Sequence, residues 1–322
     1  DFLSPNHTPI GIPCEAKTLL SFDDEMNIGT RKQVLWDRLY FLLSLRGLIP
    51  LSNLCRTIRC NEKSTETNLM MDGYNMLLIG NSFFIPYAQN LEKVAIDAGF
   101  DNHNAIGVFR GGDNGRPINF WNDSETEEHQ LIKSTLDKGD IEIFGMTAGH
   151  ETDDPTEGHK AWINYAIQKN PNIKIFIAIP PIDFPAEWNQ RAEEYGFNSI
   201  QELNHYFIND IVHYTMVDSL RKEFPNTKIF TIPTGWAAIN LAQMELDNSL
   251  QDDISMFGQK ETSIFTDYKG HQGQIVIETG TLIWLNCIYN VDLTQNEYKT
   301  GFDTDLHTIA KNIVDNHDTN YK

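Results

Sequence analysis

Two short segments carry residue types able to do nucleophilic chemistry. The first is Gly80-Asn81-Ser82, within Leu78-Ile79-Gly80-Asn81-Ser82-Phe83, placed between an apolar run and a helical pattern that begins near Pro86. Glycine lets the chain turn sharply. A serine at a helix entrance presents its hydroxyl beside backbone N–H groups that can stabilise an oxyanion. The second segment is Asp267-Tyr268-Lys269-Gly270-His271, just before the last strongly apolar stretch. A serine nucleophile needs a base to take its proton, and that base needs a carboxylate to orient it and stabilise the imidazolium. One loop offers both, as His271 and Asp267. Each segment alone has a plainer use: Ser and Asn are favoured helix N-caps, and Asp267 with Gly270 suits a surface turn. Their joint occurrence points to Ser82 as nucleophile, His271 as base and Asp267 as the orienting acid.

For these loops to meet, the intervening chain must bring them to one edge of a common scaffold. Short apolar runs predict strands over Met76 to Ile79, Ala105 to Phe109, Ile141 to Met146, Lys174 to Ile179 and Lys228 to Ile232. Between them, apolar residues at three and four spacing, such as Leu91, Val94, Ala95 and Ala98, predict helices. Longer helices are expected over Ile200 to Phe224 and Gln272 to Tyr289. Strand and helix in alternation imply a parallel sheet covered on both faces, a three-layer α/β/α sandwich with five strands. Ligands of such sheets bind beyond the carboxyl ends of the strands. The loops starting at Gly80, Arg110, Thr147, Pro180 and Pro233 should therefore ring the site. Residues 1–72 lack this alternation and read as an N-terminal extension, 73–295 as the main domain and 296–322 as a C-terminal tail.

At this point the chain resembles the SGNH, or GDSL-like, hydrolases over roughly Met76 to Tyr289, which implies a flavodoxin-like hydrolase fold and ester hydrolysis through an acyl-enzyme. In that family the serine lies in a Gly-Asp-Ser-like block; here Asn81 replaces the usual Asp. A second block supplies a glycine N–H to the oxyanion hole, and Phe109-Arg110-Gly111-Gly112-Asp113-Asn114-Gly115 occupies the corresponding place. The resemblance assigns that role to Gly112, with Gly111 as the neighbouring alternative. A last block supplies Asp and His, resembling Asp267 and His271. Two features depart from the pattern. Three residues rather than two separate Asp267 from His271, and the third block reads Gly145-Met146-Thr147-Ala148-Gly149-His150-Glu151, without the Asn that normally donates to the oxyanion. Losing such a donor costs roughly 3 kcal/mol in the barrier. His150 or Thr147 is the expected substitute. The resemblance implies a small-molecule or glycan ester substrate, and leaves acyl and alcohol specificity open.

Composition narrows the remaining choices. A formal net charge of -20 disfavours nucleic acid and anionic membranes, because a surface that repels phosphate gains nothing from counterion release. The most apolar long stretch, Leu35 to Leu54, is broken by Asp37, Arg38 and Arg46, so no membrane span is expected. The chain begins at Asp1 without Met, which fits a processed, secreted or periplasmic product. Cys14, Cys55, Cys60 and Cys287 lack zinc-site spacing; Cys55 and Cys60 suit either a local bridge or free thiols. No cofactor is expected. His150, Glu151, Asp153, Asp154, Glu157 and His159 are rich in donor atoms but match no metal motif, and read as an acidic loop before the helix around Trp162. Trp121, Trp188 and Trp236 near strand-end loops suit either a sugar-stacking pocket or the core. Two other functions use the same scaffold: a catalytically weak module binding a polysaccharide or small ligand, and a phosphate or flavin binder at the first loop. The sequence leaves oligomeric state open.

Overall fold

The computed structural model describes residues 71–149 and 156–322. The expectations on residues 1–70, on Cys14, Cys55 and Cys60, and on His150, Glu151, Asp153 and Asp154 lie outside the described residues. The chain divides between Asn68 and Leu69, and every described residue belongs to the second unit.

Five parallel strands form the central sheet: β1 Asn75–Gly80, β2 Asn104–Phe109, β3 Ile143–Thr147, β4 Lys174–Ala178 and β5 Ile229–Ile232, in the order β2-β1-β3-β4-β5. They coincide with the five apolar runs. The register places Gly80 beside Phe109, and Met146 beside Ile79 and Ile177, so the strands end at a common edge. Side chains alternate between faces, as a strand requires. Met76 and Leu78 enter one buried cluster with Phe176 and Ile232, while Leu77 and Ile79 enter the other with Phe144, Met146 and Ile177.

The helices in chain order are α1 Ile85–Asp97, α2 Pro117–Asn122, α3 Glu127–Leu136, α4 Glu157–Lys169, α5 Trp188–Glu194, α6 Ile200–Tyr206, α7 Asp218–Glu223, α8 Gly235–Leu246, α9 Gln274–Tyr289 and α10 Leu306–Asp315. The first cluster is covered by α1, α8, α9 and α10, and the second by α3 and α4. Helix α9 buries residues on all sides, from Ile275 to Ile288, and its Trp284 donates Nε1–H to Thr234 Oγ1 at 2.8 Å. Residues 296–322, read as a tail, contain α10, whose Leu306, Ala310, Ile313 and Val314 are buried in the same cluster. Each large apolar side chain so buried stabilises by roughly 1.5–3 kcal/mol before ordering entropy.

The single helix expected over Ile200 to Phe224 is present with a change of winding: Phe207–Val217, between α6 and α7, is a π-helix. Its buried pairs, Phe207–Ile208, Val212–His213 and Met216–Val217, recur every four to five residues. That spacing suits i→i+5 bonding better than the α-helical repeat. Strands β6 Ser255–Phe257 and β7 Ser263–Phe265 form a small second sheet, and an antiparallel bridge between Phe265 and Gln272 closes the base of the loop holding Asp267 and His271. Among the described residues no helix is long and apolar enough to cross a membrane.

Candidate active site

Ser82 sits in the turn between β1 and α1. The Asn81 carbonyl accepts from the N–H groups of Phe84 and Ile85, and Asn81 Oδ1 accepts from Phe83 N–H at 3.0 Å. Asn81 therefore ties off the donors behind Ser82. The backbone N–H groups of Ser82 and Gly112 have no hydrogen-bond partner among the described residues. Both are free to receive a developing oxyanion.

The Gly112 loop is held from two sides. Arg110 N–H donates to the Gly80 carbonyl at 3.2 Å, which couples the second loop to the end of β1. The Arg110 guanidinium reaches Asp123 at 2.7 Å, Glu128 at 3.1 Å and Thr126 Oγ1 at 2.6 Å, over the ring of Phe120. Gly115 makes the close contact beneath Ser82. A Cβ there would lie 2.5 Å from the Arg110 carbonyl, 2.6 Å from that of Gly80 and 2.7 Å from Asn81 Cα. All three are backbone atoms, so only glycine lets the loops approach this closely. Gly115 lies in the same glycine-rich stretch as Gly111 and Gly112, but its role depends on a tertiary contact that the local sequence does not display.

His271 and Asp267 come from a loop folded around one carboxylate. Asp267 Oδ1 accepts from Gly270 N–H at 3.0 Å and His271 N–H at 3.2 Å, while Oδ2 accepts from the His271 ring at Nδ1, 2.6 Å away. Gly270, at φ +97°, takes the left-handed conformation that brings His271 back to its own acid. This turn absorbs the extra residue of the Asp-x-x-x-His spacing. Thr266 N–H donates to the His271 carbonyl at 2.7 Å and closes the loop; Phe184 N–H donates to the Lys269 carbonyl at 2.9 Å and ties it to the segment after β4. Partial burial opposes ionisation of Asp267, but hydrogen bonds from the His271 ring and from two backbone N–H groups hold its carboxyl below the ordinary range. It is a carboxylate when His271 needs one.

The other ring nitrogen, His271 Nε2, lies 2.8 Å from Ser82 Oγ. With Nδ1–H directed at Asp267, Nε2 is the acceptor and the Ser82 hydroxyl the donor. The Phe83 ring stacks on the imidazole with centroids 5.1 Å apart and planes 15° from parallel, which limits its rotation. Ser82 and His271 are half-buried and reachable from solvent. Beside them is a cleft of about 70 Å³ lined by Asn81, Phe83, Gly112, Gly149, Pro181 and Lys269, among others.

The structure thus gathers Ser82, His271, Asp267, Asn81 and Gly112 at one sheet edge. His150 lies outside the described residues. Thr147 is buried; its hydroxyl donates to the Ala148 carbonyl at 3.2 Å, and its own carbonyl meets His159 Nε2 at 3.0 Å. The Thr147 hydroxyl is thus directed to the backbone rather than to an oxyanion. Among the described residues no three His, Cys, Asp or Glu side chains converge as metal ligands, and Cys287 is a free thiol. Trp188 is a core residue donating to the Ile182 carbonyl, and Trp121 packs edge-on against Trp162. Trp236, half-buried, lines a separate cavity.

No protein-family model matches the chain, and no curated protein does. Among solved structures it is similar to a DUF4886 family protein from Bacteroides uniformis, at 13% identity and TM-score 0.49, over 76% of this chain and 93% of that one. It is also similar to the periplasmic domain of a lipopolysaccharide acetyltransferase from Salmonella ser. Paratyphi A, at 13% identity and TM-score 0.36, over 69% and 84% of the respective chains.

Proposed function

We propose that the chain is a serine ester hydrolase of the SGNH type, acting through an acyl-enzyme on a short acyl ester. The observation that carries this reading is the continuous hydrogen-bonded line from Ser82 Oγ to His271 Nε2, 2.8 Å, and from His271 Nδ1 to Asp267 Oδ2, 2.6 Å. Its direction is the one that nucleophilic acyl transfer requires. As Ser82 Oγ attacks the ester carbonyl carbon, its proton passes to His271 Nε2, and the imidazolium is stabilised by the Asp267 carboxylate. Negative charge builds on the former carbonyl oxygen, towards which the N–H groups of Ser82 and Gly112 donate. Collapse of the tetrahedral intermediate breaks the bond to the alcohol oxygen, which leaves with the proton from Nε2. A water molecule then attacks the acyl-Ser82 ester, giving its proton to His271, and returns Ser82 to its starting state with release of the acid.

A cleft of about 70 Å³ supports a small acyl group. Net charge of -20 favours a neutral or cationic ester over an anionic one. The test is hydrolysis of p-nitrophenyl esters of increasing acyl length. Acetate should be turned over well above the rate in buffer, with kcat/KM falling at least about tenfold by octanoate, as the added methylenes exceed the cleft that the described residues form. No turnover of any ester would overturn the proposal.

A further inference from the structure

A second cavity, of about 350 Å³, opens between the π-helix, the start of α8 and the end of α10, beside the edge strand β5. That size lies within the range of small-molecule sites, roughly 300–1,000 Å³. Its lining is unusual in being rich in carboxamides: Asn209, Asn240, Asn312 and Asn316, with Trp236 and His205 completing the wall. The amides of Asn209, Asn240 and Asn312 make no side-chain hydrogen bond among the described residues, and the first two are half-buried. A carboxamide offers an acceptor and two donors on neighbouring atoms, a match for two adjacent hydroxyls that must each give and receive. The Trp236 ring, held against His205 with centroids 4.7 Å apart, supplies an apolar face for C–H groups.

The charge of the pocket agrees with this chemistry. Among the described lining residues the one acid, Asp318, uses Oδ1 to accept from Asn320 N–H at 2.8 Å. The floor contains His213 and His317, both buried, and among the described residues His213 keeps one ring nitrogen, Nδ1, without a partner. A π-helical segment is costly and recurs at functional sites; here it is the segment that brings Ile208, Asn209 and His213 to the pocket.

From the paired amides and the aromatic wall, we propose that this cavity binds a neutral sugar unit, with Asn209 and Asn240 hydrogen-bonding its hydroxyls and Trp236 covering its C–H face. The site does not depend on Ser82 being catalytic. Methyl glucoside, methyl galactoside and N-acetylglucosamine are the probes, titrated into the full chain with saturation-transfer NMR and tryptophan fluorescence as readouts. At least one should bind saturably, and Asn240→Ala, which removes a half-buried amide without a partner among the described residues, should weaken it at least about tenfold. Trp236→Ala should do the same, while Ser82→Ala should bind as the unaltered chain does. Absence of saturable binding by all three sugars, or binding indifferent to Asn240→Ala, would overturn the proposal. So would loss of binding in Ser82→Ala, which would locate the sugar in the other cleft.

Discussion

Replacing Ser82 with alanine is expected to lower turnover of p-nitrophenyl acetate by about 10⁴-fold or more, equivalent to about 5 kcal/mol or more of transition-state stabilisation. The substitution removes the oxygen that lies 2.8 Å from His271 Nε2. The free N–H groups of Ser82 and Gly112 remain, so a residual rate from the oxyanion hole should persist. His271→Ala should cost a similar factor. The double variant should lose little more, because nucleophile and base act as one unit. The fold should be unaffected: Ser82 is half-buried in a turn whose bonds are made by Asn81 and the backbone. Thermal melting within about 2 °C of the unaltered chain would establish that. Activity within tenfold of the original would contradict the assignment of Ser82.

The second large effect concerns stability. Thr231 Oγ1 on β5 lies 3.0 Å from His213 Nε2 and 2.8 Å from His317 Nε2, and the two rings are 5.2 Å apart. Tyr321 stacks on His213 at 3.8 Å and covers one face of its ring. Burial, reinforced by the neighbouring His317, pushes His213 down to about 3. Burial and the Lys322 charge push His317 down to about 4. The unfolded chain titrates both near 6.5, so below that pH it binds protons that the folded state refuses. Stability is full above pH 6.5 and falls as pH drops towards 4, at up to about 3 kcal/mol per pH unit for two protons. His103 and His307 are lowered mainly by burial and act in the same sense. Against a total stability of roughly 5–15 kcal/mol, the loss of about 4 kcal/mol by pH 5 is a large fraction. Melting temperatures at pH 7.5, 6.5, 5.5 and 5.0 should be flat across the first two and fall steeply thereafter, with the His213 ring proton not titrating above pH 5 by NMR. An unchanged melting temperature down to pH 5 would refute the buried neutral pair.

The five strands were legible because each is a short apolar run between turn residues; four are buried on both faces, and the edge strand β2 keeps Val108 buried. The nearness of Ser82 to the Asp267 and His271 loop followed from placing both at the carboxyl edge of a parallel sheet. The spacing of Asp267 and His271 was read as a departure, since the sequence does not display that Gly270 adopts positive φ and folds the extra residue into the turn. Gly115 was invisible for a different reason. Its requirement comes from three backbone atoms of Gly80, Asn81 and Arg110, which only the tertiary structure assembles. The π-helix was read as ordinary helix because apolar pairs four to five residues apart also satisfy part of an α-helical pattern. Helix α10 had a legible signal, in Leu306, Ile309, Ala310, Ile313 and Val314, within residues read as a tail. The His213, Thr231 and His317 group spans β5, the π-helix and the end of the chain, and no local pattern announces it.

The most direct measurement is reaction of the full chain with a fluorophosphonate probe, followed by mass spectrometry of its peptides. Attack on phosphorus needs a serine whose proton is being taken by a base. Stoichiometric labelling of Ser82 is expected, abolished in His271→Ala although Ser82 itself is retained. No labelling, or labelling spread over other serines with Ser82 unmodified, would contradict it.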